Sequence, residues 1–241
     1  MASWCSPVFA SDDWLANEVL TQLADIRRDM SGLKKQVQQL RTEINELKIK
    51  AGDSQGRAGA TSFDIGKGKS LGKANAEYAI VEFTDYECPF CARYNQKTLG
   101  KIKKKYVDTG KLQYLIRNFP LDFHQGAKLA AIAANCAGAQ GAYPKMHDQL
   151  FENQHKLSRE LYEQIAVDLG LDMGRFKKCL IDPEQEAEIN NEIALGKRIG
   201  ISGTPAFIMG RLKDGQLTDI KALSGAQPFS SFTRIIDSMI N

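Results

Sequence analysis

Two cysteines three residues apart, in Cys88-Pro89-Phe90-Cys91, have the type and spacing to do chemistry. They follow an apolar run, Tyr78-Ala79-Ile80-Val81-Glu82-Phe83, that reads as a buried strand. They precede Ala92 to Tyr106, rich in Lys, Arg, Gln and Leu, which reads as helix. A CxxC at such a junction sets its first sulfur at a helix N-terminus, where unpaired N–H groups and the positive end of the helix dipole stabilise a thiolate. Attack on a disulfide needs that thiolate, and the second thiol, one turn on, resolves the mixed disulfide. The same spacing serves as half of a zinc site, but such sites bring a second CxxC or a closely spaced His pair. Here Cys5, Cys136 and Cys179 stand alone, and His124, His147 and His155 show no ligand spacing. The predicted chemistry is dithiol–disulfide exchange without a metal or another cofactor.

A second feature lies far along the chain. Gly203-Thr204-Pro205 precedes the apolar run Ala206-Phe207-Ile208-Met209. Proline cannot donate to a sheet ladder, so Pro205 belongs at the start of that strand or in the turn before it. By itself this marks no more than where a strand begins.

Together, three stretches carry a resemblance. They are Val81-Glu82-Phe83-Thr84-Asp85-Tyr86-Glu87-Cys88-Pro89-Phe90-Cys91, Arg117-Asn118-Phe119-Pro120-Leu121 and Gly203-Thr204-Pro205-Ala206-Phe207. Through them residues 62 to 241 resemble the DsbA-like protein-disulfide oxidoreductases of the thioredoxin superfamily. The resemblance implies that Thr204 and Pro205 form a cis-proline loop against the two cysteines. With Pro89 and Phe90, that loop would bind an extended client peptide. Glu82, six residues before Cys88, matches the buried acid of that family. A buried carboxylate there has a raised pKa and can accept the proton of Cys91; the other reading of Glu82 is an exposed strand-edge residue. The chain departs from the strongest oxidase of the family in two places. It carries Pro-Phe between the cysteines where that oxidase has Pro-His, and Thr204 where that oxidase has Val. Less stabilisation of the Cys88 thiolate makes a less oxidising site.

The other end of the chain holds a different pattern. Ala16, Leu23, Met30, Val37 and Ile44 occupy one heptad position, and Val19, Ile26, Leu33, Leu40 and Leu47 the other. This is the seam of a coiled coil. A helix folded back on its own chain would need a broader apolar stripe. Beside the seam, Arg27, Lys34, Arg41 and Lys48 are basic on one flank, and Gln22, Asp29, Gln36 and Glu43 are polar or acidic on the other. In a parallel oligomer Asp29 of one copy meets Lys34 of the next and Glu43 meets Lys48, whereas antiparallel pairing opposes the basic rows. Val37/Leu40 and Ile44/Leu47 favour two strands and Leu23/Ile26 more, so the expectation is a dimer ahead of a trimer.

The expected organisation is a tail at 1–13, a coiled-coil helix at 14–50, a Gly-rich flexible linker at 51–61 and a catalytic domain at 62–241. In the tail Val8-Phe9-Ala10 resembles a signal-peptidase site, although no basic and long apolar segment precedes it. Processing after Ala10 would remove Cys5 and leave four cysteines. A run of helical segments from about 121 to 200 reads as an insertion between the two halves of a thioredoxin fold. Relatives that carry a disulfide across this block imply a pairing of Cys136 with Cys179; two buried free thiols are the other reading. A lasting second disulfide implies a periplasmic or otherwise exported location. The fold class is therefore α/β, a thioredoxin fold with an inserted helical subdomain behind a parallel coiled coil. Its strands fall at 78–84, 112–117, 206–210 and around 216–223, with a closing helix near 229–240.

At 241 residues, 43% hydrophobic and 25% charged, the composition is that of an ordinary soluble protein. A net charge of +3 spread along the chain carries no nucleic-acid signature, and Lys101 to Lys105 reads as a solvated helix face. No apolar run approaches a membrane span. His147, between Met146 and Leu150, reads as structural or solvated.

Catalytic domains held in a parallel oligomer are similar in layout to the disulfide isomerases of the DsbC and ScsC type. The expected activity is therefore isomerisation of wrongly bonded exported proteins, with oxidase activity alongside. A plain oxidase and a non-enzymatic oligomeric chaperone are the alternatives. The resemblance also implies a membrane redox partner, a DsbD-like reductant or a DsbB-like oxidant.

Overall fold

The computed structural model describes residues 18–32, 36–37, 62–64, 69–71 and 76–240. The expected tail at 1–13, the linker at 51–61 and much of the heptad segment lie outside the described residues. The chain divides into two units, Met1–Gly59 and Ala60–Asn241. In the first, residues 18–32 form a helix, α1, and 36–37 are also helical. Its heptad residues Val19, Leu23, Ile26 and Met30, and Val37 beyond it, are exposed.

The second unit is built on one six-stranded sheet in the order β1-β6-β5-β3-β4-β2. The strands are β1 (Ser62–Asp64), β2 (Lys69–Leu71), β3 (Tyr78–Thr84), β4 (Leu112–Asn118), β5 (Ala206–Lys213) and β6 (Gln216–Ser224). β3 and β4 run parallel, and the other pairs are antiparallel. Every residue of β3 and β4 is buried, which fits their near-continuous apolar sequences. β1 and β2, three residues each, were not among the expected strands, because so short a run carries no readable period.

The parallel pairing of β3 and β4 requires a crossover, supplied by the helix that follows Cys88. It begins as α2 (Pro89–Tyr94), passes through a π-helical turn at Asn95–Leu99 and continues as α3 (Gly100–Ile102). A second π turn at Lys103–Val107 ends it. Five helices then separate β4 from β5: α4 (Ala127–Gly138), α5 (Tyr143–Glu152), α6 (Arg159–Asp168), α7 (Met173–Leu180) and α8 (Pro183–Arg198). Side-chain caps begin three of them. Ser158 accepts from Leu161 N at 3.3 Å, Asp172 from Arg175 N at 3.0 Å and Asp182 from Glu184 N at 3.0 Å. A disulfide joins Cys136 of α4 to Cys179 of α7. The closing helix is α9 (Phe229–Ile240).

Alternation along β3 divides the core. Ala79, Val81 and Phe83 face one cluster with Leu115, Phe119 and Ile208, over which Ile193, Leu195 and Ile199 of and after α8 lie. Gly196 permits that approach, since a Cβ there would meet the Phe119 ring at 2.6 Å. Tyr78 and Ile80 face the larger cluster, shared with Cys91, Tyr94, Tyr114, Phe207 and Phe232. Glu82 and Thr84 continue the alternation toward that second side.

Candidate functional site

β3 ends at Thr84, and Cys88 is the N-cap of α2 in extended backbone geometry, with Pro89 in the first turn. Proline suits that turn because its missing N–H would have had no intrahelical partner. The four residues between strand and helix are anchored on three sides. Asp85, buried, accepts hydrogen bonds from Glu87 N at 2.7 Å and Leu121 N at 2.8 Å, and His124 Nδ1 lies 2.7 Å from its Oδ2. Gly126 N donates to Glu87 Oε1 at 3.1 Å. From the far end of α5, the Gln154 side-chain amide donates to Tyr86 O at 2.7 Å and to Cys88 O at 2.9 Å. The helical insertion therefore grips the backbone that carries the first cysteine.

Both cysteines are free thiols, and they differ in electrostatics. Cys88, 3% exposed, donates from Sγ to Thr204 O at 3.3 Å. Its pKa is lowered to about 6, first by the hydrogen bond of the Cys91 thiol, against burial, with further help from the Thr204 side chain and the N–H groups of Cys91 and Phe90. At neutral pH its thiolate form is favoured. The Thr204 hydroxyl is buried, with no other hydrogen-bond partner among the described residues. Cys91 is fully buried, and burial, followed by its bond to Cys88, pushes its thiol well above the usual cysteine range. One sulfur is ready to attack, and the other keeps its proton until something removes it.

Glu82 lies in the central strand and is 1% exposed, so it is no strand-edge residue. Burial raises its carboxyl to about 7, against the opposing hydrogen bonds of Tyr114 and Thr84. Tyr114 donates to Glu82 Oε2 at 2.5 Å, and the Tyr94 and Tyr114 hydroxyls are 2.9 Å apart. Tyr114 pairs in register with Ile80, which makes it the diagonal neighbour of Glu82 across β3 and β4.

The Thr204–Pro205 peptide bond is cis, and Pro205 is buried where β5 begins. Pro89 and Phe90 are exposed, with the Arg93 guanidinium 5.0 Å over the Phe90 ring. Cys88, Cys91, Thr204 and Glu82 thus come together, and Pro205 adjoins them in sequence. Cys136 and Cys179 lie in the helical insertion, bonded to each other.

The sequence reading missed Tyr114, Tyr94, Asp85 and Gln154. Tyr114 and Gln154 reach the site through pairing or packing across many residues, so nothing local marks them; Asp85 and Tyr94 lie within a few residues of the cysteines, but the partners that give them a role, Leu121, His124 and Tyr114, are distant in sequence. His147 is buried and hydrogen-bonded on both sides, to Tyr86 OH at 3.0 Å and Asn95 Nδ2 at 3.1 Å, and burial lowers it to about 3. It is a neutral structural group.

The thioredoxin family model matches residues 65–237. Among curated proteins, the chain is 33% identical over 156 residues to the Na(+)/H(+) antiporter NhaA 3 of Salinispora tropica, covering 64% of this chain and 23% of that one. It is 27% identical over 164 residues to the Bacillus anthracis protein named "Probable disulfide bond formation protein D", covering 64% of this chain and 75% of that one. The chain therefore spans about a quarter of the antiporter and three quarters of the Bacillus protein. Among solved structures, alpha-DsbA1 of Wolbachia pipientis superposes with a TM-score of 0.65 at 27% identity, covering 73% of this chain and 92% of that one.

Proposed function

The chain belongs to the thioredoxin family, and from that premise we propose that it is an enzyme of protein thiol–disulfide exchange working through Cys88 and Cys91. The observation that carries this reading is the opposite displacement of two neighbouring thiols. Cys88 is lowered to about 6, and Cys91 is held protonated beside a carboxyl poised near 7. In the reducing direction the Cys88 thiolate attacks a client disulfide and releases one client sulfur. Cys91 passes its proton to Glu82 and attacks Cys88 Sγ; the Cys88–Cys91 bond forms and the client leaves as a thiolate. In the oxidising direction a client thiolate attacks Cys88 of the disulfide form, and protonated Glu82 returns a proton to the departing Cys91. A carboxyl near 7 serves both directions at neutral pH. Thr204, Pro205, Pro89 and Phe90 flank the sulfur and align the extended client.

Isomerisation, with oxidation alongside, is the activity we assign. A thiolate lowered only to about 6 supports a weaker oxidant than one stabilised to the extreme. The unpartnered apolar positions Val19, Leu23, Ile26 and Met30 support a parallel oligomer through residues 14–50, dimer before trimer. Such an oligomer presents several sites to one misfolded client. The disulfide between Cys136 and Cys179 supports an exported, oxidising location. There a membrane reductant would return Cys88 to its thiolate, or a membrane oxidant would renew the disulfide.

The test uses the full chain with reduced and with scrambled ribonuclease. Cys91→Ala should accumulate client protein on Cys88, and Cys88→Ala should accumulate none; equal trapping removes the division of roles. Ile26→Asp/Met30→Asp should convert the oligomer to monomer by light scattering and abolish reshuffling while leaving oxidation intact. A monomeric variant that reshuffles as well as the parent refutes the oligomer as the basis of isomerisation. If the parent oxidises but does not reshuffle, the protein is a plain oxidase.

A further inference from the structure

Glu82 is the centre of a short chain of hydroxyls that the exchange reaction as usually written does not use. Behind it, Tyr94 OH and Tyr114 OH are hydrogen-bonded, and Tyr114 donates to Glu82 Oε2. In front of it, Cys91 of α2 packs in the same core cluster as Tyr94 and Tyr114.

Among the described residues, the groups that act on Glu82 or feel its charge include no cation. α2 brings Cys91 and Tyr94, β4 brings Tyr114, the loop after β3 brings Tyr86, and α5 brings Tyr143; each of these is affected by the Glu82 charge. Glu192 of α8 lies further off and acts on Tyr86 and Tyr143. β5 and α9 contribute Phe207 and Phe232, packed on the Tyr94 ring. A carboxylate buried without a counter-ion depends on hydrogen bonds to its charged form. Tyr114 supplies the best-formed one, and Tyr94 fixes the Tyr114 hydroxyl in place.

We propose that Tyr114, backed by Tyr94, is a positioning residue that keeps Glu82 in the carboxylate form able to take the Cys91 proton. The proposal rests on the reading of Glu82 as the base of the exchange site. Cys91 gives its thiol proton to Glu82. The freed Cys91 thiolate forms the bond to Cys88 Sγ, and the bond from Cys88 to the client sulfur breaks. Two electrons pass from the dithiol to the client disulfide.

The experiment mixes the reduced full-length protein with oxidised glutathione and follows both steps by stopped flow from about pH 5 to about pH 9. The first step forms the Cys88–glutathione disulfide, and the second releases that glutathione as Cys88 and Cys91 join. Tyr114→Phe should leave the first step unchanged and slow the second about threefold to fivefold at neutral pH, with its inflection moved up by about one pH unit. Its rate should approach that of the parent at the alkaline end. Tyr94→Phe should move the inflection the same way by less, and it takes the place of Tyr114→Phe if that variant does not fold. In a Glu82→Gln background, Tyr114→Phe should have no further effect.

An unmoved inflection overturns the proposal, and so does additive slowing in the Glu82→Gln background. A parent protein that forms no mixed disulfide overturns the exchange reading instead. The infrared titration of the Glu82 carboxyl in parent and Tyr114→Phe then decides the tuning by itself, and equal midpoints refute it.

Discussion

Replacing Glu82 by Gln should make this protein more stable, and more so as the pH rises. Its carboxyl is displaced from 4.5 to about 7 by burial, opposed by Tyr114 and Thr84. Because the folded pKa lies above the unfolded one, the folded state holds an extra proton between these values. Stability therefore falls as the pH rises through that window, and the loss is complete above about pH 7. The displacement amounts to about 3 kcal/mol at alkaline pH. At about pH 5 the loss is still below about 1 kcal/mol, so the advantage of the Gln variant should grow by 2 to 3 kcal/mol, roughly, between about pH 5 and about pH 8. Gln keeps an acceptor for Tyr114 but introduces an amide N–H₂ facing Thr84, at a cost of about 1 kcal/mol that does not vary with pH. Comparing two pH values removes that constant. The measurement belongs in a Cys88→Ala/Cys91→Ala background, where no thiol titrates in the same window. Urea unfolding by circular dichroism should show the gap between midpoints widening by about 1 M on alkalinisation, with unchanged slopes. A gap equal at both pH values would mean that Glu82 ionises as an exposed carboxyl does, and the argument for it as a base near neutrality would fall with it.

Three further outcomes follow from other parts of the fold. Cys136→Ser/Cys179→Ser opens a loop with a sequence separation of 43. It should lower stability by about 4 kcal/mol and the thermal midpoint by about 10 °C in non-reducing calorimetry; an unchanged midpoint refutes a stabilising role. Glu192→Ala removes the partner of Arg117 at 3.2 Å and the acceptor of the Asn118 N–H and amide at 2.9 and 2.7 Å. Removing the charge partner of a buried guanidinium together with the acceptor of both Asn118 donors should cost about 3 to 5 kcal/mol, and Glu192→Gln, which loses the charge but keeps the Asn118 bonds, clearly less; equal losses by denaturant titration would show the Asn118 bonds to be immaterial. His147 is lowered from 6.5 to about 3, so its contribution is full above 6.5 and is lost as the pH falls toward 3. The parent's stability should decline in that window by up to about 1.4 kcal/mol per pH unit, and His147→Gln should lack that component of the slope.

What could be read from the sequence concerns signals that act over a few residues. An apolar run, a CxxC and a polar helical stretch placed Cys88 where β3 gives way to α2, because strand burial, helix propensity and the N-terminal dipole are local properties. Asp182-Pro183 marked the start of α8 for the same reason. Repetition every three and four residues exposed the heptad pattern around α1, although a single chain leaves those side chains without a partner. β1 and β2 escaped, since three residues complete no period and their place is set by pairing with β6 and β4. The two π turns after α2 left no mark that propensity could register. Glu82 shows the limit most clearly. Within Ile80-Val81-Glu82-Phe83 the sequence permits either an edge carboxylate or a buried one. Only the position of β3 between β4 and β5 decides which, and only the register against β4 brings Tyr114 to it. Gln154 reaches the Cys88 carbonyl across 66 residues of chain, by way of the helical insertion. The sulfur chemistry was legible because it depends on two neighbours and a helix end. The proton chemistry was not, because a proton affinity is set by desolvation and by hydrogen-bond partners, and both are assembled only when distant parts of the chain close around the carboxyl.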